Sequence, residues 1–89
     1  MMQKTPLTPV QGSFTASTAA SITLQAVSTE LYLCLRSADG YFRFSSTATS
    51  STAVYIPVDT PVILLMDTET TSLSVLGTAS GTAYVQEFV

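Results

Sequence analysis

The chain reads as an all-β domain, an antiparallel β-sandwich or small barrel of about seven to eight short strands behind an extended N-terminal arm. Three observations predict it. Apolar residues recur with period two from Ser21 onward, and no helical period appears anywhere. Turn-forming pairs such as Asp39-Gly40 and Ser80-Gly81 break up the apolar runs, as the connections of short antiparallel strands do. The composition suits pleated surfaces: 46% of the 89 residues are apolar, Ser and Thr are abundant, and only 10% are charged.

Residues 1–18 hold Pro6, Pro9 and Gly12 among scattered Thr, Ser and Gln, with no sustained apolar period, so they read as an extended arm on a domain spanning 19–89. Leu7, Val10 and Phe14 are its sparse apolar anchors, available to dock on a neighbouring subunit. The alternatives are a frayed terminus or an extra strand starting near Val10. Ile22, Leu24 and Ala26 then share one face of a half-buried strand, opposite Ser21, Thr23 and Gln25. In residues 30–37, Leu31, Leu33 and Leu35 oppose Tyr32, Cys34 and Arg36, a second face so weakly polar that both faces of this strand are open to contact. Asp39-Gly40 precedes Tyr41-Phe42-Arg43-Phe44 and predicts a tight hairpin, because both turn positions tolerate positive φ.

Residues 45–52 carry no side chain larger than Thr and read as an exposed loop. Val54, Ile56 and Val58 alternate with Ala53, Tyr55 and Pro57; proline cannot donate to a ladder, which puts this strand at an edge. After a turn at Val58-Asp59-Thr60-Pro61 comes Val62-Ile63-Leu64-Leu65-Met66, apolar at every position, which predicts a central strand covered on both faces with Leu64 in the core. Residues 67–71 form a polar loop. Leu73, Val75 and Gly77 then alternate with Ser72, Ser74 and Leu76; Ser80-Gly81 supplies a second turn. The closing strand places Ala83 and Val85 on one side, Tyr84 and Phe88 on the other.

A chain of fewer than 100 residues supports one domain that buries only about 60 to 65% of the surface its unfolded form exposes. Three basic and six acidic residues give a net charge of -3, too few charges to cover such a domain. Subunits are therefore expected to hide one another's apolar surface in a homo-oligomer, a trimer being favoured. Lys4, Arg36 and Arg43 are the only cations and cannot neutralise a run of phosphates, so nucleic acid is not an expected partner. The apolar run at 62–66 is far shorter than the roughly 20 residues a membrane helix needs. The start Met1-Met2-Gln3-Lys4-Thr5-Pro6 leads into no apolar export signal, so neither membrane insertion nor Sec export is expected. Cys34 lies among alternating apolar neighbours and reads as a small hydrophobe, not a reactive thiol.

Without His, the usual activation of Ser or Cys and most zinc sites are unavailable, so no enzyme, cofactor or metal site is expected. Asp67 and Glu69 are the one carboxylate pair with the spacing to flank a glycosidic bond or hold calcium; among threonines at a strand end they read as a solvated turn. Gly12, Gly40, Gly77 and Gly81 are too scattered to cradle a phosphate. Tyr32, Tyr41, Tyr55 and Tyr84 offer a stacking surface for a sugar or another protein, with Tyr41 and Tyr55 the carbohydrate candidates because each neighbours a turn or an edge.

Four segments carry a resemblance: Leu31-Tyr32-Leu33-Cys34-Leu35-Arg36, Tyr41-Phe42-Arg43-Phe44-Ser45-Ser46, Tyr55-Ile56-Pro57-Val58, and the ending from Ser72 to Val85. Together, over about residues 20–89, they resemble small β-sandwich structural proteins of tailed-phage virions, whose pattern runs through an aromatic-Arg-Phe strand and a proline-ended strand to a closing hairpin. The ending Phe88-Val89 departs from the charged tail common in that family and leaves open whether such a protein sits on head or tail. The resemblance implies a virion location after assembly in the host cytoplasm, and a non-enzymatic role as a capsid decoration, or cement, protein. Its partners would be the major capsid protein or other virion proteins, with Leu7, Val10, Phe14, Tyr41, Tyr55 and Phe88 as interface candidates. A carbohydrate-binding module of a fibre and a tail-tube or connector subunit are the rival readings.

Overall fold

A computed structural model describes residues 6–25, 29–49, 51–65 and 72–88. It contains eight strands: β1 (Val10–Phe14), β2 (Ala20–Thr23), β3 (Glu30–Arg36), β4 (Gly40–Phe44), β5 (Val54–Ile56), β6 (Val62–Leu65), β7 (Ser72–Gly77) and β8 (Gly81–Phe88). They form two four-stranded sheets, all of whose pairings are antiparallel: sheet I in the order β1-β8-β3-β6 and sheet II in the order β2-β7-β4-β5. The expected β-sandwich is present, and the strand order is that of an eight-stranded jelly roll. Every consecutive pair of strands except β4 and β5 lies in opposite sheets.

Period-two patterning decides which side chains meet between the sheets. Sheet I contributes Phe14, Leu31, Leu33, Leu35, Ala83 and Val85; sheet II contributes Ala20, Ile22, Phe42, Ile56, Leu73 and Val75. Leu31, Leu33, Leu35, Leu73 and Val75 are wholly buried, so β3 and β7 carry the centre of the core. Glu87 also points inward at one end and is fully buried, its Oε1 accepting the Gln25 amide at 2.9 Å just beyond β2. A carboxylate out of water needs such donors.

Three sequence expectations are corrected. First, part of the expected arm is sheet: β1 pairs with β8 from Val10↔Val85 to Phe14↔Gly81. The bond from Leu7 N–H to Glu87 C=O (2.9 Å) and a bridge between Pro6 and Phe88 carry the attachment further. Val10, Gly12 and Phe14 do have period two, but glycine supplies no side chain to reveal it. Gly12 faces inward where a Cβ would lie 3.2 Å from both Ala20 and Ile22, so its bareness lets β1 approach β2.

Second, Asp39-Gly40 marks a turn but not a hairpin, because β3 belongs to sheet I and β4 to sheet II. The chain turns at Ser37, whose φ is 77°, and Gly40 has no positive φ. What Gly40 supplies is room, since a Cβ there would stand 2.5 Å from the Leu76 carbonyl oxygen. Ser80-Gly81 is likewise a corner between sheets. Third, β6 is not central. It is an edge strand of sheet I beside β3, with Val62 and Leu64 partly buried against the core while Ile63 is 61% and Leu65 80% exposed. The edge expected from Pro57 is observed: β5 pairs only with β4.

The Phe14 ring plugs the end of the sandwich against both glycines of the β7–β8 corner. A Cβ on Gly77 would fall 2.2 Å from Phe14 Cδ1, and one on Gly81 would fall 2.7 Å from Phe14 Cζ. Phe14→Ala is expected to cost about 3 to 5 kcal/mol and Gly77→Ala about 1 to 3 kcal/mol in denaturant titration. Values near zero for both would show that the plug does not form. Leu33→Ala is expected to cost about 2 to 5 kcal/mol, whereas Leu65→Ser in dilute solution stays within about 0.5 kcal/mol, a contrast that denaturant midpoints measure directly.

Candidate interaction surface

Outward residues of the two sheets differ in kind. Cross-strand register sets Gln11, Tyr84 and Cys34 in one row of sheet I, Gln86, Tyr32 and Ile63 in the next, and Phe88, Glu30 and Leu65 in a third. Tyr32 is 43% and Tyr84 45% exposed, and with Ile63 and Leu65 they make one apolar field. The Tyr32 and Phe88 rings meet at 5.1 Å between centroids, inclined at 54°. Pro9 at one side and Pro61 at the other flank an almost wholly apolar groove of about 230 Å³ over Tyr32, Cys34 and Tyr84.

Sheet II turns hydroxyls to water. Ser21, Ser72 and Ser74 line a groove of about 290 Å³ with Ser45, Ser46 and Thr47 of the loop after β4. That loop is fastened where the Ala48 amide donates to Ser74 Oγ at 2.9 Å. Farther along the same face the Tyr41 and Tyr55 rings pack edge to face, 5.6 Å between centroids. The Tyr55 hydroxyl donates to the Asp39 carboxylate, which also accepts from the Thr78 hydroxyl. Asp39 thus joins β5 to both inter-sheet corners, and the Thr78 bond first, then the Tyr55 bond, hold its carboxyl below the usual carboxylate range.

The expected interface residues part company. Phe14 is only 1% exposed and belongs to the chain's own core, so it cannot dock on a neighbour. Leu7 is half-buried and strapped to β8: its amide donates to Glu87 and its carbonyl accepts from the Gln86 side chain. Val10 packs partly against the core and borders the apolar groove. Phe88 lies on the apolar face, whereas Tyr41 and Tyr55 lie on the opposite sheet. Asp67 and Glu69 fall outside the described residues. Among the described residues no three His, Cys, Asp or Glu side chains gather as metal ligands, and no helix is long and apolar enough to cross a membrane.

Tyr32 and Tyr84 were expected as part of a four-tyrosine stacking surface, but the structure parts them from Tyr41 and Tyr55 and sets them with Cys34, Ile63 and Leu65, of which Ile63 and Leu65 were expected in the core. The signal for them was present in the weak polarity of the second face of residues 30–37 and in the unbroken apolar run at 62–66. In comparisons with families of known proteins, with curated proteins and with solved structures, nothing matches this chain. The likeness to phage virion proteins therefore stands on the segments quoted for it alone.

A depressed carboxyl pKa stabilises the fold above the carboxyl's unfolded value, and that contribution disappears as pH falls through the folded value. Tyr55→Phe is accordingly expected to lower the melting temperature at neutral pH, with the gap from the parent chain closing in acid. A gap that stays constant with pH would detach the effect from Asp39.

Proposed function

We propose that this chain is a non-enzymatic structural protein of a virion, a capsid decoration protein whose contact surface is the outer face of sheet I. One observation carries the reading: the outer face of sheet I holds an apolar field of Tyr32, Ile63, Leu65 and Tyr84 beside an apolar groove, whereas that of sheet II holds a hydroxyl-lined groove beside the pair of Tyr41 and Tyr55. Such asymmetry suits a protein covered on one side and wetted on the other. Jelly rolls occur in viral capsid domains, lectins and cupins, so the fold is compatible with this role without selecting it.

Cementing needs binding and no turnover. Many copies over a shell's seams turn modest pairwise affinity into a large collective effect, because each later contact forms between partners already held close. The major capsid protein or another virion protein is the partner that anchors each copy. A glycan has less to rest on: Tyr41 and Tyr55 stand edge to face, and the Tyr55 hydroxyl is already engaged by Asp39.

The test is addition of the purified chain to shells assembled without it. Bound copies and a higher shell melting temperature are expected from the parent chain and from Tyr41→Ser on sheet II, while Leu65→Asp and Tyr84→Asp on sheet I lose the gain. No binding by the folded parent chain would sink the proposal.

A further inference from the structure

We infer that the occupant of the outer face of sheet I is a second copy of this chain, packed sheet to sheet about a two-fold axis that crosses β3 between Tyr32 and Cys34. The inference rests on the reading of that face as the contact surface and names what it contacts.

Area makes the first argument. From their fractional exposures, Tyr32, Ile63, Leu65 and Tyr84 leave roughly 400 to 500 Å² uncovered, as large as the biggest patch on a typical monomer. That is half or more of the roughly 800 Å² that each partner contributes to a standard interface, and Gln11, Gln86, Glu30 and Arg36 extend the same face around it. The unbroken apolarity of residues 62–66 signals a strand covered on both faces; within one chain β6 is covered on one.

Charge chooses the partner and the axis. On outward positions of the four strands of sheet I, the charged side chains are Glu30 and Arg36, at the two ends of β3. Six residues of strand separate them by about 20 Å. A two-fold across β3 reverses the strand in the partner, so Glu30 of each copy stands over the partner's Arg36, and Tyr32 over the partner's Cys34. A two-fold along the strands would instead set Glu30 over the Phe88 ring. Arg36 meets Asp59 through Nε at 2.6 Å, and a guanidinium with five N–H donors has capacity for a second carboxylate. Aligned sheets cross at about 30°, an offset that long Glu and Arg side chains span. The interface is isologous and closes as a pair, in place of the trimer favoured in the sequence reading.

Sedimentation velocity of the 89-residue chain across micromolar concentrations tests this, with folding of every variant checked by circular dichroism. The parent chain is expected as a dimer. Glu30→Lys weakens it at least about tenfold by setting Lys against Arg, and Glu30→Lys with Arg36→Glu restores most of the loss. Cys34 alkylation by a maleimide is slow at dimeric concentrations and speeds up on dilution, a readout independent of any substitution. A monomer at all concentrations overturns the inference, as does a dimer indifferent to Glu30→Lys whose Cys34 reacts freely, or open-ended growth through the β6 edge. Shell addition separates the two readings: a monomer that still cements shells removes only the pair, and a dimer that never binds shells removes only the virion role.

Discussion

The packing of the Phe14 ring against Gly77 and Gly81 is the contact on which the rest of the sandwich depends. It joins the first strand to the corner between the seventh and eighth, and so ties the beginning of the described chain to its end. Without Cβ atoms at both glycines the ring fits, and the Thr15 carbonyl then accepts the Gly77 amide at 3.2 Å. Asp39 reinforces the same end, its carbonyl taking the Thr78 amide at 3.0 Å. The two corners between sheets are thereby held in register by one ring and one carboxylate. The inner faces of β3 and β7 can close on each other only when those corners are in place.

The apolar face of sheet I follows from how few charges the chain spends on its surface. A jelly roll has two outer faces to wet, and here Ser and Thr wet one of them. The other keeps Tyr32, Tyr84, Ile63 and Leu65 exposed, with its ionic groups, Glu30 and the ion pair of Arg36 with Asp59, at the two ends of β3. Positioned charges at the margin of an apolar field select orientation more than they add affinity. The same scarcity of charge leaves a hazard, because β6 is an edge strand with no charged residue of its own. Only its shortness and the preceding Pro61 limit strand-to-strand growth.

Much of the layering was legible from period two alone. Leu31, Leu33 and Leu35, Ile22 and Leu24, Leu73 and Val75, and Ala83 and Val85 all lie on the buried side as their alternation requires. Pro57 marked an edge for a chemical reason that holds in any sheet. The sheet to which each strand belongs was not legible, since Asp39-Gly40 has the same local chemistry whether the chain returns beside itself or crosses the core. β1 was hidden by the bare Gly12 between Pro9 and Phe14. β6 was misplaced because apolarity at every position was read as burial on both faces, whereas Ile63 and Leu65 stand exposed on an edge strand.

Strand order has a consequence for how the molecule is made. β8 lies between β1 and β3, so sheet I remains two fragments until the chain has run through every other strand. Only β4 and β5 find their partner locally; every other ladder closes a long loop before gaining a contact, the regime of slow folding. During synthesis β3 waits alone until β6 is made, and the edge of β3 that β8 will cover stays open until the last strand. For that interval the nascent chain is most exposed to pairing with a copy of itself in the wrong register, a hazard that a high local concentration of copies aggravates.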